Sequence, residues 1–200
     1  KTINTEEGVS LLRKAYEGGI NFYHTSDETL KTKVLPAWRP DKAMNIHKPG
    51  FAQYMAQLAQ AVGKTTLTSA QEVCDALVQR IEYFHDRGCR ASDHGFEEVV
   101  PCRVISMEEA DDIFQKGMAG QALTQQQIEG YQTTLLLAMG KTYHRLNIAM
   151  QIHYSCLRNT NARMFKALGA DAGYDAIAQN VCGVNIFRLL SALDETNQCP

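Results

Sequence analysis

Three short runs hold most of the side chains able to do chemistry. The first is Arg39-Pro40-Asp41-Lys42. Prolines at 36 and 40 bracket the arginine. A guanidinium restrained in this way offers a pre-organised fork to a carboxylate or phosphate. A surface salt bridge is the plainer use of the same residue. The second run, Ser92-Asp93-His94-Gly95, sets a carboxylate beside an imidazole. Such a pair can orient a sugar hydroxyl or move a proton. It can equally be an aspartate capping a helix next to an exposed histidine. The third run, His153 to Asn161, follows an apolar stretch and brings His153, Arg158, Asn159 and Asn161 close in sequence. Those donors and acceptors suit polyol and carboxylate recognition. The plainer alternative is a core histidine bonded to a backbone group. His47, His85 and His144 read as solvated or helix-end residues. The chain has no H-x-H, H-E-x-x-H, G-x-G-x-x-G or P-loop pattern,. Ser92, Asp93 and His94 are consecutive, whereas the members of a nucleophile triad meet in space.

The elements that must position these groups read as α/β. Thr5 to Gly19 predicts a helix and Ile20 to Thr25 a short strand,. Lys33 to Pro36 is a second strand candidate, with a loop over 38–42. A helix is expected over 51–62. Ser69 caps another that runs to Arg87, with Glu72 three residues on completing a capping box. Its stripe is Val73, Leu77, Ile81 and Phe84,. Cys89 to Asp93 is strand-like, and His94-Gly95 opens a loop. Ser106 and Thr124 cap the helices expected over 106–116 and 124–145. Ile148 to Tyr154 predicts a buried strand and Leu157 to Asn161 a loop. Short helices follow at 162–168 and 184–193. Short strands between long helical stretches imply crossovers and a parallel sheet. The expectation is about four parallel strands with helix-rich crossovers. A closed eight-stranded barrel takes about 250 residues. The chain is therefore either a small open sheet or part of a barrel. In both, chemistry sits beyond the carboxyl ends of the strands, where the three runs fall.

Composition narrows the classes. The chain has 200 residues, 44% of them hydrophobic, which excludes a disordered segment,. Its 20 basic and 22 acidic residues leave no basic footprint for nucleic acid,. No apolar run approaches the roughly 20 residues of a membrane span. Nothing at the start reads as a signal peptide. Cys74, Cys89, Cys102, Cys156, Cys182 and Cys199 are scattered without zinc-site spacing,. Buried reduced thiols in a cytoplasmic protein are the expectation.

At these runs the chain resembles the uronate isomerases (glucuronate isomerases), a divergent branch of the amidohydrolase superfamily. The matching stretches are KTKVLPAWRPDKAMNI, GCRASDHG, QIHYSCLRNTNARMFKALGADAGYD and LSALDETNQCP, within residues 29–200. The R-P-D-K, S-D-H-G and H-x4-R-N-x-N motifs come in the family's order. The resemblance implies a partial (β/α)8 TIM-type barrel. It implies interconversion of D-glucuronate with D-fructuronate, and of D-galacturonate with D-tagaturonate, through an enediolate. It implies a divalent metal, zinc or manganese, and no nicotinamide. Arg39 or Arg158 would clamp the uronate carboxylate. Asp93 and His153 would hold sugar hydroxyls or the carbonyl oxygen, with His94 a further candidate.

Two departures from the family pattern stand out. The family's metal-binding H-x-H strand and its last-strand aspartate have no counterpart here, so the chain reads as an interior piece of a barrel. The catalytic residues themselves are not assigned. In addition, TINTEEGVSLLRKAYEGGINFYHTSD, within residues 1–28, resembles a helix and strand of aldo-keto reductases. That suggests a chimera with a junction near residues 26–31. The alternatives to isomerisation are an inactive fragment that only binds or assembles, and an aldo-keto-reductase-like oxidoreductase. A half barrel would leave strand edges and apolar faces open. Self-association or a complementing barrel fragment is therefore expected, with Tyr143, Ile148, Met150 and Ile152 short of cover.

Overall fold

The structure is a computed structural model that describes residues 35–96, 100–170, 172–178 and 183–200. The helix expected over 5–19, the strand over 20–25 and the aldo-keto-reductase-like stretch lie outside the described residues, as does Cys182.

Local capping chemistry places the helix starts. Ser69 Oγ accepts from Glu72 N at 3.1 Å and opens α3 (Ala70–Asp86). The reciprocal half of that box closes one residue upstream of the expected place. Glu72 takes Thr68 N at 2.6 Å and Lys64 Nζ at 2.9 Å. Ser106 caps α4 (Met107–Met118). Thr124 and Gln127 complete a capping box at the start of α5 (Gln125–Leu146), which ends at Asn147 in the left-handed region. Each cap satisfies N–H groups that the first helical turn leaves unpaired. Upstream lie a single turn, α1 (Asp41–Met44), and α2 (Phe51–Ala61).

The sheet is smaller than the sequence suggests. β1 (Ala91–Gly95) pairs in parallel with β2 (Ala149–His153), Ala91 opposite Ala149 and Gly95 opposite His153. Trp38 adds one parallel bridge on the other side of β1. Its N–H donates to Ala91 O, and Asp93 N–H donates to Trp38 O. Of the strand expected at Lys33 to Pro36, residues 33–34 lie outside the described residues, residues 35–36 are in no strand, and the contact with β1 is made at Trp38. The remaining strands, β3 (Cys156–Leu157) and β4 (Ala176–Ile177), are antiparallel to each other. Among the described residues two strands are parallel, not four. Residues 158–175, between β3 and β4, include the helix Ala162–Leu168.

Helices α3, α4 and α5 pack on one another beside this pair. Tyr131, Leu135, Leu136, Met139 and Tyr143 of α5 are fully buried, with Val73, Leu77 and Ile81 of α3 and Phe114 of α4. Phe51, Phe114 and Tyr131 meet ring to ring at 6.1–6.4 Å. Tyr143 and Ile148 were expected to lack cover but are buried, because α5 folds back over β1. β2 is not the buried strand expected. Met150 and Ile152 are half-buried, and Ala149, Gln151 and His153 are exposed. The chain continues through α6 (Ala162–Leu168) to α7 (Gly183–Asp194). Helix α7 lies against α5 at Gly140, where a Cβ would come within 2.7 Å of Leu193. The five described cysteines are unpaired thiols; Cys74 and Cys89 are buried, and the other three half-buried. Among the described residues no helix is long and apolar enough to cross a membrane.

Candidate functional site

The parallel pair dictates which groups can meet. Side chains alternate along a strand, so Asp93 and His94 must leave β1 on opposite faces. The strand runs through Gly95 instead of stopping at Asp93, which sends His94 inward. His94 is fully buried, and its Nε2 lies 3.1 Å from the Tyr143 hydroxyl, while Nδ1 has no partner. Burial, reinforced by the Arg39 charge, lowers the imidazole pKa to about 3. A neutral histidine sealed in this way cannot reach a solvent-borne sugar. Its expected role as a sugar contact gives way to tying β1 to α5.

Asp93, on the other face, meets Arg39. The Arg39 Nη1 to Asp93 Oδ2 distance is 3.1 Å. Arg39 reaches it from the loop between two buried prolines, aligned by the Trp38 bridge two residues from Pro36. His153, at the last position of β2, puts Nδ1 3.2 Å from Asp93 Oδ1. That is an ionic-range contact without hydrogen-bond alignment, since Asp93 Oδ1 has no hydrogen-bond partner. The His153 ring also touches Gln151. Arg39, Asp93 and His153 thus come together at the carboxyl end of the parallel pair, from three separate segments.

Two further residues shape this cluster. Asp41 accepts from Arg39 Nε at 2.8 Å and from Gly95 N at 3.3 Å. Burial pushes its carboxyl pKa up, against the opposing pull of Arg39. Gly95 leaves the room: a Cβ there would lie 2.8 Å from Arg39 Nη2 and 3.3 Å from Asp41 Oδ2. Any side chain at this position would displace the guanidinium.

Arg158 lies in a different microenvironment. Its Nη1 meets Asp175 Oδ2 at 2.6 Å, and Asp175 Oδ1 accepts from Asn159 N at 2.9 Å. The Asn159 N–H and the Arg158 guanidinium hold the Asp175 carboxyl below its usual range. The antiparallel β3–β4 pairing brings these partners together. Asp41 stood inside a motif already singled out for its arginine. Asp175 gave no local signal, because its partner is 17 residues away.

A divalent metal finds no matching donor set in this part of the molecule. Among the described residues no group of three or more His, Cys, Asp or Glu is gathered to hold one. The nearest donors, Asp41 and Asp93, hold the Arg39 guanidinium between them, with His153 against Asp93. A cation placed among them would meet that fixed positive charge.

The glucuronate isomerase family matches residues 21–200. The uronate isomerase of Actinobacillus succinogenes is 40% identical over 181 residues, covering 89% of this chain and 38% of that protein. That of Caldicellulosiruptor saccharolyticus is 40% identical over 174 residues, covering 87% and 37%. Among solved structures, Thermotoga maritima uronate isomerase aligns with a TM-score of 0.73 at 29% identity, over 92% of this chain and 38% of that one. The chain therefore spans less than two fifths of the length of these relatives. The match begins at residue 21, upstream of the junction expected near 26–31, and nothing in it supports a chimera. With nine tenths of its residues inside one family match, the chain belongs to the glucuronate isomerase family.

Proposed function

We propose that this chain carries the sugar-contacting portion of a uronate isomerase, which interconverts an aldose and a ketose uronate such as D-glucuronate and D-fructuronate, or D-galacturonate and D-tagaturonate. The observation that carries this reading is the meeting of Arg39, Asp93 and His153 at the carboxyl end of the β1–β2 pair. That is where α/β folds place their ligands. In this reading β1 and β2 are neighbouring strands of a (β/α)8 barrel whose remainder is supplied elsewhere, by a longer chain, a second copy or a complementing fragment. The compartment is the cytoplasm.

The reaction takes a proton from C2 and returns one at C1 through an enediolate. Oxidation at C2 balances reduction at C1, so no redox cofactor is needed. Families of the amidohydrolase type generally use a divalent metal, and the described residues supply no ligand set for one. The groups that move the proton are left unassigned.

Charge balance separates the two arginines. Among the described residues Arg39 is shared by two carboxylates, Asp41 and Asp93. One guanidinium set against the Asp41 and Asp93 carboxylates leaves little positive charge for an incoming carboxylate,. Among the described residues Arg158 pairs with the Asp175 carboxylate, and its side chain is 44% exposed. We therefore assign the uronate carboxylate to Arg158, through charge-assisted hydrogen bonds. Asp93 and His153 receive sugar hydroxyls, with Arg39 orienting Asp93.

Calorimetric titration of the purified chain with D-glucuronate and D-glucose tests this. Arg158→Met is expected to weaken glucuronate binding about 10-fold or more, the worth of a hydrogen bond to a charged group, and to spare glucose. Arg39→Met is expected to weaken both sugars. Equal losses for both sugars in Arg158→Met would overturn the assignment.

A further inference from the structure

Neither sequence motifs nor family membership gives Asp41 a task, yet it touches both ends of the Arg39 cluster. Its Oδ2 lies 2.8 Å from Arg39 Nε, and its Oδ1 accepts from Gly95 N, at the end of the strand that carries Asp93. Arg39 Nη1 then spans to Asp93 Oδ2. From the geometry we infer that Asp41 is a positioning residue, which locks the Arg39 guanidinium across Gly95 and so sets the direction in which Asp93 faces a sugar. This rests on the sugar-binding reading proposed above.

Three features support it. The guanidinium is planar, so fixing Nε fixes the plane and hence the direction of both Nη groups. The Asp41 carboxylate is anchored through its other oxygen to the strand itself, so it transmits β1's position to Arg39. And Gly95 is the one residue type that lets the guanidinium lie so close, as its Cβ would sit 2.8 Å from Arg39 Nη2. Anchor and clearance both come from the same residue of β1.

A competing account gives the opposite sign. If Asp41 were only a second negative charge beside the site, neutralising it would strengthen binding of an anionic sugar. If it positions Arg39, neutralising it weakens binding of both charged and neutral sugars, because Asp93 loses its orientation.

The experiment compares wild type, Asp41→Asn, Asp41→Glu and Asp86→Asn, the last removing one exposed negative charge at the end of α3. Two quantities are measured on each folded chain. The first is the nitrogen NMR signal of the Arg39 guanidinium without sugar, identified by its loss in Arg39→Lys. Wild type is expected to show a slowly exchanging Nε–H and distinct Nη signals. Asp41→Asn is expected to average them, Asp41→Glu to restore them in part, and Asp86→Asn to leave them unchanged. The second is affinity for D-glucuronate and D-glucose, expected to fall about 10-fold for both in Asp41→Asn, on the scale of one charge-assisted contact. Unchanged Arg39 signals in Asp41→Asn, or tighter glucuronate binding, would overturn the inference. Averaged signals in a chain that binds neither sugar would overturn the sugar-binding reading and leave the positioning role standing.

Discussion

The stretch from Trp38 to Ile148 and the stretch from Ala149 to Pro200 hold their residues in different ways. In the first, α5 alone buries Ile128, Tyr131, Leu135, Leu136, Met139 and Tyr143 against α3 and α4. In the second, α6 buries no residue, α7 buries only Leu189 and Leu193, and Ile177 and Phe187 are 86% and 73% exposed. The candidate site straddles the boundary. Arg39, Asp41 and Asp93 rest on the packed part. His153 lies on an exposed strand, and Arg158 directly follows the two-residue strand β3. The difference teaches that rigidity is unequally shared within one site. The Arg39–Asp93 geometry is held by a core, whereas the Arg158–Asp175 geometry is held chiefly by its own hydrogen bonds. Segments with few buried apolar contacts open at lower free energy than the core.

The largest way to break this comparison is to empty the core. Leu135→Ala is expected to cost about 2–5 kcal/mol in urea unfolding, because the cavity cannot close in a fully packed layer,. Phe165→Ala on α6, at 43% exposure, is expected to change the same transition by less than about 0.5 kcal/mol,. Similar costs would remove the contrast.

Acid should also find the packed part first. His94 has its pKa lowered to about 3 by burial. Between that value and the ordinary 6.5 the unfolded chain holds a proton that the folded chain does not. Stability from this group is therefore full above about pH 6.5 and is lost as pH falls towards 3, at up to ~1.4 kcal/mol per pH unit. His94→Gln, which cannot titrate but can still bond Tyr143, is expected to flatten stability against pH in that window. An unchanged slope would show that the acid response comes from elsewhere.

The smallest effect sharpens the contrast with matched chemistry. Thr124 caps α5 and Asn161 caps α6 by the same side-chain bond to a backbone N–H. Thr124→Ala is expected to lower global stability by about 1 kcal/mol. Asn161→Ala is expected to leave the global transition in place and to speed amide exchange only within α6. Faster exchange throughout the chain in both variants would mean that the two regions unfold as one.

Much of the helical framework was legible because its signals are local. Ser106 and Thr124 act on backbone groups three residues away, and a stripe such as Val73, Leu77, Ile81 and Phe84 needs only helical periodicity. Strand ends were less legible. Whether β1 stops at Asp93 or Gly95 is set by pairing with β2, more than 50 residues away, and that choice sends His94 inward. Arg39, Asp93 and His153 could be named from their types, but their meeting depends on the parallel register of three segments. Asp175 was invisible because nothing near it marks Arg158 as its partner.

The sequence by itself determined where helices start, which residues could serve a sugar acid, and to which family the chain is akin, since caps, periodicity and motifs act or are read over a few neighbouring residues. Only the tertiary structure decided that Asp93 faces Arg39 while its neighbour His94 is sealed against Tyr143. It also decided that Arg39 lies between Asp41 and Asp93 and that Arg158 meets Asp175. Charge balance and burial depend on groups brought together from distant positions, and the pairing of segments far apart in the chain is what brings them there.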